Sequence, residues 1–370
     1  MSPLGPPRTP GAGQPIPEDN DTPESRDITT RQKGSGRLTQ RSLFQYGTAA
    51  VRQINGRTKR TQDYKSSTAD CIPWGDHQVS GTEAQAAGYF RILSHNVNGF
   101  SKANQHADVV DFARALNDKN ISLFGIQETN RNFENGHMLD SFHSLIKGVS
   151  SHHHGVVSSA KLGLKSDHQP GGTAVSARNK WASRFLAQGS DDMGRWSWIT
   201  LTGQGTIKIT FISGYRVCDG APEFSITSRT VRSQLEWMYA HRGLPQVNLR
   251  KQFTTDMIKL IGGFQKSGHD IVLMMDANEP CGSGSAADII CMSCGLQDAH
   301  SLTSTITSPP ATYHRGIAKI DFVLISPRPA LAVRAASILA LHDGYLSDHR
   351  ALIMSTSTQL FCLLATHPRS

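Results

Sequence analysis

Apolar segments of the length of β-strands recur from Phe90 to Ser355, whereas the chain before Phe90 is poor in them. Residues 1–88 are rich instead in Pro, Gly, Ser, Thr and charged side chains, a composition typical of disordered segments. A folded core therefore has to be built from the later part of the chain. We predict a basic, disordered tail over 1–88, one folded domain over 89–358 and a short C-terminal tail over 359–370.

The first elements of the predicted domain form a strand–helix–strand unit. Residues 90–97 (FRILSHNV) and 121–126 (ISLFGI) are apolar runs of strand length. Between them, residues 107–116 carry apolar side chains at helical spacing. Both predicted strands end in polar residues, which is where a functional site can form in an α/β protein.

Further periodic segments complete the domain. Seven are predicted to be strands: 173–176, 196–201, 207–215, 271–275, 320–325, 336–341 and 351–355. Three are predicted to be helices: 229–239, 249–265 and 287–294. Because several strands follow one another without an intervening helix, the sheets should be mixed rather than all parallel. We predict an α/β fold in which two mixed sheets pack as a sandwich flanked by helices.

The stretch 147–170 is irregular and contains three consecutive histidines at 152–154. Three adjacent histidines cannot all face one ion, so this stretch is predicted to be a surface loop rather than a metal site. Four basic residues farther along are candidate phosphate contacts, although an ordinary surface charge is the favoured interpretation of each: Arg178, Lys180, Arg184 and Arg195.

Polar residues gather where the predicted apolar strands stop. They are Asn96, Asn98, Gln127, Glu128, Asp276, Asn278, Glu279, Asp348 and His349. Taken singly, Asn and Asp at a strand exit are often turn formers. Asp321 is harder to explain in that way, because it lies within the apolar run IDFVLI, where an unpaired carboxylate would be unfavourable. We therefore expect a histidine or a cation beside Asp321.

A set of carboxylates and asparagines with one histidine suits metal-assisted phosphoryl chemistry. Hard oxygen ligands favour Mg²⁺ or Mn²⁺ over zinc. Such a metal would neutralise a phosphate and stabilise the leaving oxygen, while a carboxylate orients or deprotonates water. A histidine such as His349, with its tautomer fixed by Asp321, could donate a proton or hydrogen bond to the phosphate.

The formal net charge of +8 favours polyanionic partners such as nucleic acid, although part of the excess lies before residue 88 and a solvated basic surface is an equal alternative. The six cysteines are scattered and no secretory signal precedes them, which favours reduced thiols in an intracellular protein. No apolar run is long enough to cross a membrane.

Seven motifs occur together in one order along the chain: SHNVNGF (94–100), GIQET (125–129), GGTAVS (171–176), SGY (213–215), MMDANEP (274–280), KIDFVLIS (319–326) and SDHRAL (347–352). Through this ordered set the chain resembles the endonuclease/exonuclease/phosphatase superfamily. The resemblance implies a four-layered α/β sandwich, which agrees with the pattern of strands and helices.

The resemblance also implies how a metal would be held. Glu128 would be the main metal ligand, and Asp348 would approach the metal. Asn98 would share in metal binding, although apurinic/apyrimidinic endonucleases usually carry a different residue at its position. Asn96 would support the metal and the attacking water. The implied ion is Mg²⁺ or Mn²⁺, with no small-molecule cofactor.

The remaining motif positions imply roles at the phosphate. Asp276 would position the attacking water and Asn278 would bind the scissile phosphate. Asp321 would pair with His349. Tyr215 would touch the phosphate, although its context GYRVC departs from the usual pattern of the family.

Within the superfamily, NVNGF, GGTAVS, GRWSWITL (194–201) and KIDFVLIS are similar to the endonuclease domains of non-LTR retrotransposons. This implies a Mg²⁺-dependent endonuclease that nicks one strand of DNA, and therefore a nuclear location. Two alternatives stay open: a phosphoesterase of the same family that acts on RNA or a small phosphate ester, and a decayed copy that only binds DNA. The sequence predicts no oligomeric state.

Overall fold

The structure is a computed structural model that describes residues 72–76, 80–100, 107–163, 165–218, 229–243, 247–303, 307–341, 343 and 345–361. Most of the predicted tail (1–71) and the end of the predicted C-terminal tail (362–370) therefore lie outside the described residues. No helix of the described part is both long and apolar enough to cross a membrane.

One sheet has seven strands, in the spatial order β1-β12-β13-β2-β3-β5-β4. Their bounds are Trp74–Gly75 (β1), Phe90–Asn96 (β2), Leu123–Gln127 (β3), His153–Ser158 (β4), Thr173–Arg178 (β5), Val333–Ile338 (β12) and Leu352–Thr356 (β13). Only β2 and β3 run parallel among these described pairs, and helix α2 (Ala107–Asp118) connects them. The parallel pair brings the carboxyl ends of β2 and β3 to the same edge.

The second sheet has six strands, in the order β10-β11-β9-β8-β7-β6. Their bounds are Phe185–Ser190 (β6), Trp196–Thr202 (β7), Lys208–Tyr215 (β8), His269–Asp276 (β9), Gln297–Asp298 (β10) and Asp321–Ile325 (β11). Strands β8 and β9 are parallel, with helices α4 (Arg229–Arg242) and α5 (Leu249–Lys266) between them in the chain. Both sheets are mixed, as predicted, and each contains one parallel pair.

The two sheets pack face to face over a central core, and helices cover their outer faces. Alternation along the strands divides the apolar residues, so that Ile92 enters the central core and its neighbour Leu93 faces the helical layer. Helices α2 and α3 (Gly136–Gly148) cover the seven-stranded sheet, and α5 and α6 (Ala286–Cys294) cover the six-stranded sheet. This four-layered α/β sandwich confirms the predicted fold class.

The folded part extends beyond the predicted domain limits on both sides. Strand β1 pairs with β12, and helix α1 (Gly81–Ala86) has a capping box between Ser80 and Glu83. After the last strand, Leu360 and Phe361 are buried in the central core. The predicted limits at 89 and 358 therefore leave out these ordered residues. The sequence does not reveal them, because β1 is too short to show a periodic pattern and the apolar residues after β13 are too few to show one.

The stretch 147–170 was wrongly predicted to be a surface loop throughout. It contains β4, an edge strand that carries two of the three consecutive histidines. His153 accepts or donates hydrogen bonds on both ring nitrogens, and His154 stacks on Phe185 with centroids 4.7 Å apart. Helix α3 and strands β6 and β10 were also not predicted. The remaining helix, α7 (Pro327–Ala332), begins with a proline at its first turn.

Candidate active site

The carboxyl ends of four strands and the start of a fifth bring predicted site residues together at one edge of the sandwich. Asn96 is the last residue of β2, and Glu128 directly follows β3. From the other sheet, Tyr215 and Asp276 are the last residues of β8 and β9 and lie side by side in the parallel register. Asp321 begins β11 opposite Asp276, because these two strands are antiparallel. Since the sheets face each other, residues distant in the sequence meet at one place.

The Asn96 side chain connects the two sheets at this edge. Its Nδ2 lies 3.0 Å from a carboxylate oxygen of Glu128 and 2.8 Å from Oδ2 of Asp276. The same nitrogen lies 3.5 Å from Nε2 of His349. Its Oδ1 accepts a hydrogen bond from the backbone N–H of Asn98 (2.9 Å). Asn96 is almost fully buried, so this amide holds the Glu128 and Asp276 carboxylates in a fixed arrangement beside His349.

His349 and Asp321 form the pair that the sequence predicts. Nδ1 of His349 donates to Oδ2 of Asp321 at 3.0 Å, and both side chains are buried. Burial lowers the pKa of His349, but the Asp321 carboxylate, with Asp276 and Asp348 beyond it, outweighs this effect and raises the pKa to about 10. At neutral pH the ring is therefore an imidazolium, with Nε2 on the side of Asn96.

Ser347 fixes the loop that carries His349. Its Oγ donates to the backbone oxygen of Asn96 (2.6 Å) and accepts from the backbone N–H of His349 (3.1 Å). This serine lies in the motif SDHRAL but is not among the residues with a predicted role. Its signal is the spacing Ser-x-His, in which a side chain caps the N–H two residues later.

Glu128 and Asp348 bring two carboxylates close to each other. Burial raises the pKa of Glu128, and the negative charge of Asp348 raises it further. The hydrogen bond from Asn96 and the positive charge of His349 lower this pKa, but by less. Oδ1 of Asp348 is buried without a hydrogen-bond partner. Glu128 also has a left-handed backbone (φ 56°), which is unusual for a residue other than glycine. Among the described residues, a positive charge that acts on Glu128 is that of His349, which is already paired with Asp321.

Asp276 is fully buried, and both its oxygens are held. Oδ1 accepts the backbone N–H of Asn278 (2.8 Å), and Oδ2 accepts Nδ2 of Asn278 (3.2 Å) as well as Asn96. Burial and the neighbouring Asp321 carboxylate raise the pKa of Asp276 to about 7. This carboxyl group can therefore exchange a proton near neutral pH.

Tyr215 lies beside this carboxylate group. Burial, followed by the negative charge of Glu128, raises the pKa of Tyr215 well above 10, so it stays a neutral phenol that can donate a hydrogen bond. The exposed Cys218 donates from Sγ to Oδ1 of Asn278 (2.9 Å). Cys218 is not among the predicted site residues, because nothing in the segment GYRVC indicates that its thiol contacts Asn278.

Asn98 stands apart from the other predicted site residues. Its side chain is exposed, its backbone is left-handed (φ 47°), and its backbone N–H holds Asn96. The side chains of Asn96, Glu128, Asp276 and Asn278 thus form one hydrogen-bonded group, and the pair of Asp321 and His349 lies against it. Tyr215 and Asp348 interact electrostatically with this group, and Asn98 contributes its backbone.

Two of the candidate phosphate contacts are interior residues instead. Arg195 is 2% exposed, pairs with Asp191 and Asp256, and lies over the Trp196 ring at 4.2 Å. Arg178 is 1% exposed and donates to the backbone oxygens of Ile121 (3.1 Å) and Val149 (3.0 Å) and to Oγ of Ser150 (2.7 Å). Both predicted alternatives, phosphate contact and surface charge, were wrong for these two arginines.

Three ligand atoms, one each from Asp276, Asp321 and His349, lie within 4.8 Å of one another. A divalent cation also fits the Glu128 and Asp348 side of the site, where two carboxylates repel and a buried carboxylate oxygen has no partner. Oxygen donors of this kind suit Mg²⁺ and Mn²⁺. The residues present therefore fit a divalent cation.

A family model described as "Endonuclease/Exonuclease/phosphatase family" matches residues 93–349. That match spans the ordered motifs from Ser94 onward and most of the described chain. No curated protein matches the sequence.

Solved structures share the fold at low sequence identity. An endonuclease/exonuclease/phosphatase protein from Bacteroides vulgatus is 14% identical with a TM-score of 0.50, covering 73% of this chain and 98% of its own. The AP endonuclease LMAP from Leishmania major is also 14% identical with a TM-score of 0.50, covering 78% and 93%. The endonuclease domain of the telomere-specific non-LTR retrotransposon TRAS1 is 12% identical with a TM-score of 0.43, covering 73% and 99%.

Proposed function

This chain belongs to the endonuclease/exonuclease/phosphatase family, and we propose that it is a divalent-cation-dependent endonuclease that nicks one strand of DNA. As a family member it is a phosphoester hydrolase of the nuclease and phosphatase type. The observation that carries the proposal is the single hydrogen-bonded group at the sandwich edge, in which Asn96 joins Glu128 and Asp276 and lies beside His349.

Glu128 and Asp348 are the proposed ligands of Mg²⁺ or Mn²⁺. His349 as an imidazolium already offsets the charge of Asp321, and Asp348 adds a second negative charge that acts on Glu128. A bound cation would neutralise the phosphate and stabilise the leaving oxygen. Asn98 would contribute through its backbone N–H, which holds the Asn96 amide, rather than through its exposed side chain.

Asp276 is the proposed base that orients and deprotonates the attacking water. Its pKa of about 7 allows it to accept a proton at neutral pH, and its hydrogen bonds to Asn96 and Asn278 fix the direction of its oxygens. A fixed carboxylate is effective because the attacking water is then held at reacting distance before reaction.

His349 is the proposed donor to the phosphate. Asp321 holds the Nδ1 hydrogen, so the other ring N–H is directed to the Asn96 side of the site. An imidazolium in this position would stabilise negative charge that develops on a phosphate oxygen.

Asn278 and Tyr215 are the proposed contacts of the scissile phosphate. Of the two amide hydrogens of Asn278, one is held by the backbone oxygen of Arg216 at 2.7 Å. The other makes the longer contact to Asp276 (3.2 Å) and is therefore the one that would turn to a phosphate oxygen. The neutral phenol of Tyr215 would donate beside it.

DNA is the proposed substrate because a basic chain (+8) carries a site for phosphodiester chemistry and its motifs resemble retrotransposon endonucleases. A nuclear location would follow from that substrate. The site favours a working enzyme over a decayed copy, because the side chains of Asn96, Glu128, Asp276, Asp321 and His349 are still assembled at one edge of the sandwich.

The test is nicking of supercoiled plasmid by the purified full chain, with Mg²⁺, with Mn²⁺ and with EDTA. We expect open circles with either cation and none with EDTA or with Glu128→Ala. Glu236→Ala, which removes an exposed carboxylate paired with Arg232 on α4, is the matched control and should nick like wild type.

Intact plasmid from folded wild-type protein would refute the DNA-nicking proposal. Release of phosphate from a small ester, or cleavage of RNA, would then assign the site to one of those substrates. Metal-independent DNA binding that salt weakens, without any hydrolysis, would indicate a decayed copy.

A further inference from the structure

Two arginines and a glutamate lie behind the turn that carries Asp276 and Asn278. Arg216 directly follows Tyr215, and Arg250 lies in the first turn of α5. Each places its guanidinium against the carboxylate of Glu279, at 2.8 Å from Arg216 and 2.5 Å from Arg250. We call this group, Arg216, Arg250 and Glu279, the arginine clamp. Arg216 also lies in the segment GYRVC, which departs from the usual pattern of the family.

The arginine clamp also binds the backbone on both sides of the site. Arg216 donates to the oxygen of Ala277 at 3.1 Å. Arg250 donates to the oxygen of Val217 at 2.7 Å and to that of Asn278 at 3.4 Å. The clamp therefore connects the end of β8 and the start of α5 to the turn after β9.

Glu279 extends the connection to a third element. Its Oε1 accepts the backbone N–H of Ala286, the first residue of α6, at 2.6 Å. The Arg216 side chain is 8% exposed, the Arg250 side chain 11% and the Glu279 side chain 23%. Charges buried to this degree are tolerated only with partners in good geometry, so removal of one partner disturbs the others.

The residue that the clamp holds has a left-handed backbone. Asn278 has φ 50°, a conformation that asparagine adopts more often than most residues but less readily than glycine. The clamp donates to the backbone oxygens of Ala277 and Asn278 on this turn. In turn, the backbone N–H and the amide of Asn278 hold both oxygens of Asp276. The arginine clamp is thus connected to Asp276, the proposed base, through Asn278.

We propose that Arg216, Arg250 and Glu279 are positioning residues, which fix the backbone of Asn278 and thereby the direction of the Asp276 carboxylate. This inference rests on the proposed function of the site for its effect on catalysis. The effect on the conformation of the turn does not depend on that function. The clamp residues act through Asn278 rather than on the reacting atoms.

The test compares Arg250→Met and Glu279→Gln with the wild-type full chain in two measurements. One is the amide hydrogen exchange of the peptide that covers residues 276–286. The other is kcat and KM for hydrolysis of a DNA phosphodiester. Arg328→Met is the matched control, because Arg328 also pairs with a carboxylate (Asp270) and a backbone oxygen, near the opposite end of β9.

Both clamp variants should exchange faster at residues 276–286, and kcat should fall by roughly 10–100-fold, more than any change in KM. The double variant should lose less than the product of the two single losses, since the residues act as one unit. Arg250→Lys keeps the charge and one donor and should recover part of kcat. The Arg328→Met control should leave both readouts unchanged.

Unchanged exchange over residues 276–286 in both clamp variants would overturn the proposal, as would an unchanged kcat in a variant whose wild-type parent is active. If the wild-type protein hydrolyses no phosphodiester, the proposed function fails. The exchange measurement still decides the clamp in that case, because it reports the conformation of the turn directly.

Discussion

Two histidines of this protein, the buried His349 and the half-buried His153, are hydrogen-bonded on Nδ1 and have opposite surroundings. His349 faces the carboxylate of Asp321 at 3.0 Å. His153, on the edge strand β4, faces the hydroxyl of Ser176 at 2.5 Å and, through Nε2, the ring of His143 at 2.9 Å. Around His349 the neighbouring charges are negative, whereas around His153 they are positive.

Two causes set the pKa of each imidazole, namely its burial and the charge of its neighbours. Burial lowers the pKa of both rings. Three carboxylates reverse that effect at His349 and raise its pKa to about 10, whereas His143, Arg178 and His154 add to it at His153 and leave its pKa at about 3. The charge of the neighbours therefore decides whether a buried histidine is a charged donor or a neutral structural residue.

The largest expected effect comes from removing the carboxylate beside His349. Asp321→Asn should lower the rate of DNA nicking by about 10²–10⁴-fold, because the ring loses both its charge stabilisation and its fixed tautomer. The rate is measured with saturating Mg²⁺. Asp270→Asn is the matched control, since Asp270 pairs with Arg328 outside the site, and it should nick at the wild-type rate. A loss below about tenfold in Asp321→Asn would contradict the role given to His349.

The surroundings of His153 can be made similar to those of His349 by placing a carboxylate beside it. His143→Glu places an acid near Nε2 of His153, and the pKa of His153 should rise from about 3 toward or above the ordinary histidine value of about 6.5. The change is followed by nuclear magnetic resonance titration of histidine-labelled protein. His143→Gln, which is neutral, should raise the pKa less. Equal shifts in the two variants would show that burial alone sets the pKa.

The smallest expected effect is on stability in acid. In the unfolded chain His153 takes up a proton near pH 6.5, whereas the folded protein resists protonation until about pH 3. The stability that comes from neutral His153 is therefore complete above pH 6.5 and is lost as the pH falls, by up to ~1.4 kcal/mol per pH unit. Urea unfolding at pH 7, 6 and 5 measures this loss.

His153→Gln should show a shallower decline of the free energy of unfolding between pH 7 and 5 than the wild type. Other titrating groups are common to both proteins, so the difference between the two slopes isolates His153. Parallel slopes would mean that His153 is not held neutral by the fold.

The fold and the centre of the site could be predicted because their signals are local. Apolar runs such as 271–275 have one compatible structure, a buried strand, and the polar residues that follow them mark its end. Asp321 was predicted to have a histidine or cation beside it because a carboxylate in an apolar strand needs a partner, and the structure places His349 there. Parallel pairing then brings the strand ends together.

The features that the sequence did not predict depend on contacts between residues far apart in the chain. Arg195 has the sequence environment of a surface residue, yet Asp256, 61 positions away, supplies a buried partner. Strand β4 was not predicted because its sequence, HHGVVS, begins with two histidines and a glycine and shows no alternation of apolar and polar residues. Likewise, Arg250 acts on Asn278 across 28 positions, and no periodic pattern reports such a contact.

Strand β1 determines where this domain can be cut or fused. It covers the outer edge of β12, where the backbone N–H of Ala336 is bound by Asp76 and the Trp74 indole is tied to Thr307. A fragment that begins at residue 89 would leave that edge unpaired, and a bare edge recruits strands from other molecules. Such a fragment would self-associate, so a fusion partner or affinity tag belongs ahead of residue 72.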